Sequence, residues 1–301
     1  MTPGTIDIGV CTFRRPQLAD TLRSLAGLDL APGWSARLIV VDNDETAAGR
    51  ESIEAAARLS SLPFTYVHAP ARNISIARNA CLEAATAPLL AFIDDDEIAE
   101  PRWLMALLEE MQRSGADAVL GPVRAIYAAD APAWMRAGDF HSTKPEFKDG
   151  AVSSGYSGNA LLRLDAKTVR GRRFRLDLGR SGGEDTEFFA GILRDGGHVG
   201  FAPDAMLSEV VLPQRARFDW LLRRRFRAGQ THAVLLLQES SSLLARFRNV
   251  ALASAKALFC GAGALLHVFD AARFHRWLLR GALHVGVVAH LAGLDHAELY
   301  G

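Results

Sequence analysis

The sequence has few of the cysteines that cross-link small folds or bind zinc. It has three cysteines, Cys11, Cys81 and Cys260, which lie far apart without a CxxC spacing. This spacing argues against a disulfide framework and a zinc site, and it is typical of a reducing compartment. The first residues contain no basic segment followed by an apolar run, so we expect no secretion signal.

An excess of charge of either sign is also missing. The 34 basic and 34 acidic residues cancel, so net charge gives no indication of a nucleic-acid partner. What the chain does have is length and apolar content. Its 301 residues, 49% of them hydrophobic, suffice for one large core or two smaller ones and exclude a disordered chain.

Short apolar runs alternate with helix-like segments from Ile6 to about Leu120. This alternation predicts βαβ units in a mostly parallel α/β sheet flanked by helices. Ligands of such sheets bind beyond the carboxyl ends of the strands. Asp42 ends the run RLIVVD, and Asp94 to Asp96 end LLAFIDDD, so we expect both acidic sites at the same edge of the sheet.

The character of the chain changes after residue 212. We therefore divide it into a catalytic domain, 1–212, and a basic and apolar helical region, 213–301. Within the latter, residues 250–269 carry Lys256 as their only formal charge, a length compatible with a membrane span but rich in Ala and Gly. Arginines flank this segment on both sides, which favours a hairpin lying in the membrane interface; the alternative is a helical bundle packed on the first domain.

A long segment without periodicity, from about Ala125 to Gly155, separates predicted elements of the first domain. Its Pro, Gly, Trp and Phe residues are typical of a loop near a site, and equally of a variable surface insertion.

The three consecutive aspartates require compensation, because like charges this close repel one another. Oxygen ligands without nearby His or Cys suit a hard divalent cation, Mg²⁺ or Mn²⁺, which shares its shell with a substrate phosphate. The alternative to a metal site is a turn in which an aspartate caps the next helix, but capping needs only one carboxylate. Just upstream, ARNISIARN supplies arginine and amide donors that suit a diphosphate.

Two phosphate chemistries compete for these motifs. The stretch DNDET after an apolar strand resembles the nucleophile motif of haloacid-dehalogenase-type (HAD-like) phosphatases, with IDDDE as the later acidic motif. Those Mg²⁺-dependent enzymes need a lysine between the two motifs, and residues 43–93 contain none. The phosphatase is therefore the runner-up.

Seven motifs in order resemble family 2 glycosyltransferases of the GT-A fold, in particular those that build succinoglycan-type exopolysaccharides. They are spread over residues 6–229: VCTFRRP, VVDND, ARNISIARN, FIDDDE, SGNALLRL, GGEDTEFF and LSEVVLPQRARFDWLLRRRFRAG. The resemblance implies a GT-A Rossmann-like domain, a UDP-sugar donor and Mn²⁺ or Mg²⁺ as cofactor. It also implies a lipid-linked oligosaccharide acceptor, contact with the membrane surface, and other polysaccharide-assembly proteins as partners.

The resemblance also assigns roles to individual residues. The donor contacts it implies are Thr12, Phe13, Arg14, Asp42, Arg78, Asp94 and Asp95. The metal ligands it implies are Asp96, Asp94 and Glu209, the last at a position where many relatives carry histidine. The catalytic base it implies is Asp185, with Glu184 as the alternative base or as an acceptor contact, and Asn159 as a second acceptor contact. The arginines it places over the diphosphate are Arg223, Arg224, Arg225 and Arg227, which in a membrane-bound protein instead suit lipid headgroups.

We therefore expect an inverting, metal-dependent hexosyltransferase that adds one sugar to a lipid-linked oligosaccharide at the cytoplasmic face of the bacterial inner membrane. A carboxylate deprotonates the acceptor hydroxyl while the metal stabilises the leaving diphosphate. Two other classes of protein could use the same α/β core. A nucleotidyltransferase would need a glycine-rich loop with lysine, which VCTFRRPQ lacks. A non-catalytic glycan-binding relative would be expected to lose the acidic residues, and all of them are present.

Overall fold

The computed structural model of this protein describes residues 4–239 and 242–294. Twelve β-strands occur in this part of the chain: β1 (Thr5–Thr12), β2 (Ser35–Asp42), β3 (Phe64–His68), β4 (Leu89–Ile93), β5 (Glu97–Ala99), β6 (Ala118–Leu120), β7 (Val123–Ile126), β8 (Phe147–Lys148), β9 (Ala151–Val152), β10 (Asn159–Arg163), β11 (Val199–Phe201) and β12 (Leu207–Val210).

The same residues form nine α-helices: α1 (Leu18–Leu25), α2 (Arg50–Ala57), α3 (Ile74–Ala84), α4 (Trp103–Ser114), α5 (Ala133–Gly138), α6 (Glu184–Arg194), α7 (Phe218–Glu239), α8 (Leu243–Leu266) and α9 (Ala271–Leu291). Local interactions set the ends of several of these helices. The side chain of Asn73 caps α3 by accepting from the amides of Ser75 and Ile76. Gly115, with φ of 67°, ends α4.

The central sheet has seven strands in the order β11-β6-β10-β4-β1-β2-β3. Only β10 runs antiparallel to its neighbours β4 and β6; the other pairs are parallel. The predicted α/β class with a mostly parallel sheet is therefore confirmed. A smaller sheet joins β5, β12 and β7.

Both faces of the central sheet are covered, as parallel strands require. Along β2, Leu38 and Val40 belong to one apolar core, shared with α1 and α4. Ile39 and Val41 belong to the other core, shared with α3 and α6. This alternation follows from the two-residue repeat of a strand, so a run with few polar residues is buried on both sides.

The chain forms two compact units, and their boundary differs from the predicted one. The first unit comprises Met1–Ala125 with Ser142–Glu209, and the second comprises Ile126–His141 with Val210–Gly301. The predicted division after residue 212 therefore misassigned residues 126–141, half of the segment without periodicity. This segment joins the second unit because Met135 and Phe140 are buried in a cluster with Leu221 and Leu279.

The second unit is built mainly from three long helices. Close approach of α7 and α9 depends on glycine, since a Cβ on Gly229 would lie 1.9 Å from the Leu283 carbonyl oxygen and one on Gly286 the same distance from that of Phe226. Helix α8 packs on α9 with a narrow stripe that includes Ala253, Cys260 and Ala264.

The remaining surface of α8 is apolar and exposed. The large apolar side chains that are exposed along it are Leu243, Leu244, Phe247, Leu252, Leu258, Phe259, Leu265 and Leu266. By length and composition, α8 is the one helix among the described residues that qualifies as a candidate membrane span, and 22% of its most apolar window is buried.

Candidate active site

Three neighbouring strands bring polar side chains to one edge of the central sheet. Thr12 and Asp42 end β1 and β2 and are paired in register. Asp94 directly follows β4, which lies parallel to β1 on its other side. The carboxyl ends of parallel strands meet at one edge, which explains why residues so distant in sequence lie together.

Asp42 is 1% exposed and is held by two hydrogen bonds. One oxygen accepts from the Asp44 amide at 3.0 Å, and the other accepts from the Tyr66 hydroxyl at 2.9 Å. Burial and this bond raise the pKa of Tyr66 to about 12. The sequence analysis missed Tyr66, although its position on β3, the strand next to β2, was a usable signal.

Phe13 lies between two arginines just beyond β1. The guanidinium carbons of Arg14 and Arg72 are 5.4 and 5.3 Å from its ring centroid. Arg14 also binds Asp44 with two hydrogen bonds of 2.6 and 2.9 Å, although its side chain is 58% exposed. Arg72 lies 3.9 Å from Glu45, so both guanidinium groups beside the Phe13 ring also have a carboxylate partner.

The acidic run after β4 concentrates negative charge in little space. Asp95 and Glu97 are buried, at 7% and 4% exposure. Burial raises the pKa of Asp95 to about 7, and burial together with Asp94 raises the pKa of Glu97 well above its usual range. Arg15, which the sequence analysis did not select, lies 3.7 Å from both Asp95 and Asp96.

The carboxylate oxygens of this run are suitable ligands for a hard cation, but they do not form a complete set of ligands by themselves. The pKa values of Asp95 and Glu97 are raised first by burial and then by neighbouring carboxylates, and a bound cation would oppose the second cause. Yet no group of three His, Cys, Asp or Glu side chains within the described residues is arranged to hold a metal ion. A cation here would therefore be shared with substrate phosphates and water, as is usual for Mg²⁺ and Mn²⁺.

The predicted metal ligands, Asp94, Asp96 and Glu209, are therefore not already arranged around a metal position. Glu209 lies on β12, whose antiparallel register pairs it with Glu97 rather than with the aspartates. Its charge raises the pKa of Glu97 along with burial and Asp94. A ligand role for Glu209 is thus the least supported of the three.

Arg78 connects the acidic run with the start of α6. This guanidinium is 6% exposed; Nη1 donates to Glu184, and Nη2 lies 3.5 Å from Asp94 Oδ1. Burial opposes its charge, yet the pKa of Arg78 is raised because carboxylates surround it, namely Glu184, Asp94 and Asp185. Both ends of the guanidinium point at carboxylates, so Arg78 positions them, and its contact with the donor stays a prediction.

The two acidic residues that begin α6 have different environments. Glu184 is 5% exposed and paired with Arg78, and its Oε2 atom is buried without a hydrogen-bond partner. Burial and Asp185 raise the pKa of Glu184, while Arg78 lowers it. Asp185 is half-buried and accepts a 2.6 Å bond from the Thr186 amide. Gly183 precedes them with φ of 96°, a conformation that favours glycine.

Asn159 does not reach the site surface, contrary to its predicted contact with the acceptor. Its side chain has no exposed area, accepts from Trp103 Nε1 at 2.8 Å and donates to the carbonyls of Pro122 and Ala205. These bonds use both N–H groups of its amide, so we assign Asn159 a structural role that joins α4, β10 and the residues just before β7 and β12.

Solved structures with this architecture are GT-A-type glycosyltransferases. The mannosyltransferase PcManGT from Pyrobaculum calidifontis, in complex with GDP-Man and Mn²⁺, matches 95% of this chain and 88% of its own at 17% identity and a TM-score of 0.60. Residues 1–349 of S. aureus TarS, in complex with UDP-GlcNAc, match 97% of this chain and 93% of that one at 12% identity and a TM-score of 0.53. Against a longer TarS structure, the chain spans 55% of the length. These similarities show the fold alone.

The sequence matches identify the family. Residues 7–168 match the model for glycosyl transferase family 2. The chain is also 50% identical to the succinoglycan biosynthesis protein ExoM of Rhizobium meliloti (strain 1021), over 98% of its own length and 96% of that protein. The protein therefore belongs to glycosyltransferase family 2.

The family membership overturns the phosphatase alternative. That mechanism also needs a lysine between its two acidic motifs, and residues 43–93 contain none. The residue predicted as its nucleophile, Asp42, is a buried acceptor of two hydrogen bonds.

Proposed function

We propose that this enzyme is an inverting glycosyltransferase that moves one sugar from a UDP-sugar to a lipid-linked oligosaccharide during bacterial exopolysaccharide assembly. It works with Mn²⁺ or Mg²⁺ at the cytoplasmic face of the inner membrane. The observation that carries the proposal is the buried Arg78, which binds Glu184 on α6 and approaches Asp94 after β4. One guanidinium thus joins a candidate donor site to the start of α6, where Asp185 directly follows Glu184.

The nucleotide base has a suitable place between Phe13 and Asp42. Phe13 offers a ring for stacking, with Arg14 and Arg72 beside it. The oxygens of Asp42 already accept one bond each, and a carboxylate oxygen accepts a second, so an imide N–H of uracil finds an acceptor there. Thr12 is 3% exposed; it ends β1 and precedes Phe13 in the chain.

The diphosphate and cation belong at the acidic run. Asp96 and Asp94 would hold the cation, with Asp95 behind them against Arg15. When bound, a divalent cation neutralises the charge that develops on the departing diphosphate. Two arginines, Arg15 and Arg78, face the four acidic residues 94–97 here, so more acidic than basic groups are present, which is why we expect transfer to depend on the metal.

Asp185 is the better placed of the two candidate bases. It is half-buried, so an acceptor hydroxyl can approach it, while Glu184 is enclosed and neutralised by Arg78. We assign proton removal from the acceptor hydroxyl to Asp185, with attack on the anomeric carbon from the face opposite the nucleotide. Glu184 then holds the start of α6 in place through Arg78.

The similarity to ExoM and the apolar face of α8 support the polysaccharide and membrane parts of the proposal. At 1.5 Å per residue, the helix presents exposed Leu and Phe side chains along about 36 Å. Arg246 and Arg248 lie near its first turn, and Arg273, Arg276 and Arg280 follow on α9. Apolar surface bordered by arginine is suited to the interface of an anionic bilayer.

Calorimetric titration with UDP, GDP, CDP, dTDP and ADP, with and without Mn²⁺, tests the donor site directly. We expect UDP to bind most tightly and only with metal. Asp42→Asn should weaken UDP binding by about tenfold, the value of one hydrogen bond to a charged group, and leave its metal dependence intact. Asp165→Asn, in a turn away from the site, is the control.

A positive binding result is followed by transfer assays with UDP-sugars and membrane-extracted lipid-linked glycans. Absence of binding by every nucleotide under both conditions would contradict the donor site. Binding without transfer to any extracted lipid would favour a non-catalytic glycan-binding relative.

A further inference from the structure

Two of the three cysteines meet at the candidate donor site. Cys11 is the next-to-last residue of β1, and Cys81 is on α3, seventy positions later in the chain. Their Sγ atoms are 3.7 Å apart. Cys81 is buried, while Cys11 is partly exposed. The third cysteine, Cys260, is in the second unit.

The contact between Cys11 and Cys81 follows from the local sequence of β1. Side chains at positions 9 and 11 of β1 point to the same face, toward α3. Gly9 has no side chain, and a Cβ there would lie 3.1 Å from the Cys81 sulfur. The helix therefore settles with Cys81 above Gly9 and beside Cys11. A disulfide of about 2.05 Å requires the sulfurs to approach by about 1.7 Å.

One positive charge, that of Arg78, lies near the pair. Burial raises the pKa of the Cys81 thiol well above its usual range, and Arg78, one turn earlier on α3, acts in the opposite direction. A positive charge next to a partly exposed thiol is the setting in which oxidants react selectively. Of the two residues, Cys11 is the partly exposed one.

We propose that Cys11 and Cys81 are a redox pair that hydrogen peroxide converts into an intramolecular disulfide. Peroxide oxidises the Cys11 thiolate to a sulfenic acid and is reduced to hydroxide. The Cys81 thiol, as thiolate, then attacks that sulfur; an S–S bond forms, the S–O bond breaks, and the oxygen leaves as water. In sum, two thiols and one peroxide give one disulfide and two waters.

Closing this bond affects the proposed donor site, and this part of the inference rests on the proposed function. Thr12 directly follows Cys11, and Arg78 precedes Cys81 by three residues. A covalent tie that shortens their distance pulls on the end of β1 and on α3 together. We expect oxidation to displace both groups and to lower UDP affinity by about tenfold, reversibly with a thiol reductant.

The test treats the native protein with hydrogen peroxide, blocks free thiols and maps the tryptic peptides, because cleavage separates the three cysteines. We expect a Cys11–Cys81 cross-link with a mass loss of about 2 Da. Cys260→Ser should retain it, and Cys11→Ser and Cys81→Ser should each lose it. Hydrogen exchange should slow at least threefold in α3 of the oxidised protein, a readout that needs no nucleotide.

Each result decides one part of the inference. Oxidation of Cys11 to sulfinic acid with free Cys81, or recovery of both thiols unchanged, would overturn the redox pair. A disulfide with unchanged exchange in α3 and unchanged UDP affinity would overturn its effect on the site. If the reduced protein binds no nucleotide, the proposed function fails, while the peptide map still decides the disulfide.

Discussion

The two compact units use their apolar and charged residues in opposite ways. The first unit buries Ile, Val and Leu on both faces of its sheet and places charged side chains at the strand ends, where Arg78 and Glu184 are both enclosed. The second unit leaves Leu258, Phe259 and their neighbours on α8 in contact with solvent. The first pattern places charged groups where polar chemistry can occur, and the second leaves an apolar surface to which the proposed function assigns contact with lipid.

This contrast predicts that chemistry and membrane binding can be damaged separately. Substitutions in the first unit should change turnover and nucleotide binding without changing vesicle binding. Substitutions on α8 should do the reverse. The four tests below run from the largest expected effect to the smallest.

The largest effect should come from Asp185→Asn, because a general base contributes about 10²- to 10⁴-fold to a reaction. We expect kcat to fall by about 10³-fold while UDP affinity changes less than about twofold. Transfer assays and calorimetry measure the two quantities, with Glu187→Gln from the same helical turn as the control. Full transfer activity in the Asp185→Asn protein would remove this residue from the mechanism.

The next effect concerns the cation. Asp96→Asn removes a ligand charge, so transfer at saturating Mn²⁺ should fall by about 10²-fold, and the Mn²⁺ concentration for half-maximal activity should rise. Adding a chelator to the wild-type enzyme should abolish transfer, and Mn²⁺ should restore it. Glu100→Gln, at an exposed residue paired with Arg124, is the matched control. Metal response identical to the wild type would exclude Asp96 as a ligand.

A third test addresses the interior of the second unit through pH. His141 is 5% exposed, and burial lowers its pKa to about 4. Arg224 and Arg215 lower it further, whereas a bond to the Arg215 carbonyl and the charge of Asp139 act against this. Because the unfolded chain binds this proton near pH 6.5, the stability contribution is complete above that pH and is lost as pH falls toward 4.

At pH 5 this linkage amounts to about 2 kcal/mol relative to pH 7. Urea titrations of the wild type and of His141→Gln at both pH values, followed by hydrogen exchange at residues 126–141, measure it. The variant should lose most of this pH dependence. If both proteins lose equal stability, His141 is not the residue responsible.

The smallest effect is expected on α8. Replacing Leu258, Phe259, Leu265 and Leu266 with Ser should weaken binding to anionic vesicles by about tenfold or more, because apolar area no longer leaves water. UDP affinity should stay the same. Leu59→Ser with Phe147→Ser, at exposed apolar positions of the first unit, is the control. Unchanged vesicle binding in the α8 variant would contradict the membrane role of this face.

Much of the first unit could be anticipated because its signals are local. Apolar runs of five to eight residues with β-branched side chains indicated the strands β1, β2 and β4. The general rule for parallel sheets then placed Asp42 and Asp94 at one edge, as they are in the structure. The unit boundary was harder, because residues 126–141 contain no periodicity and belong to the second unit through contacts with Leu221 and Leu279, which come much later in the chain.

By itself, the sequence determined the alternation of strands and helices, the sheet edge that carries the carboxylates, and the long apolar helix after residue 242. These follow from the repeat of side chains along a strand or helix, which needs no distant partner. Only the tertiary structure decided that Arg78 binds Glu184, that Asn159 is enclosed, and that Cys11 meets Cys81. Each of these depends on how close two elements pack, and single positions such as Gly9 set that distance.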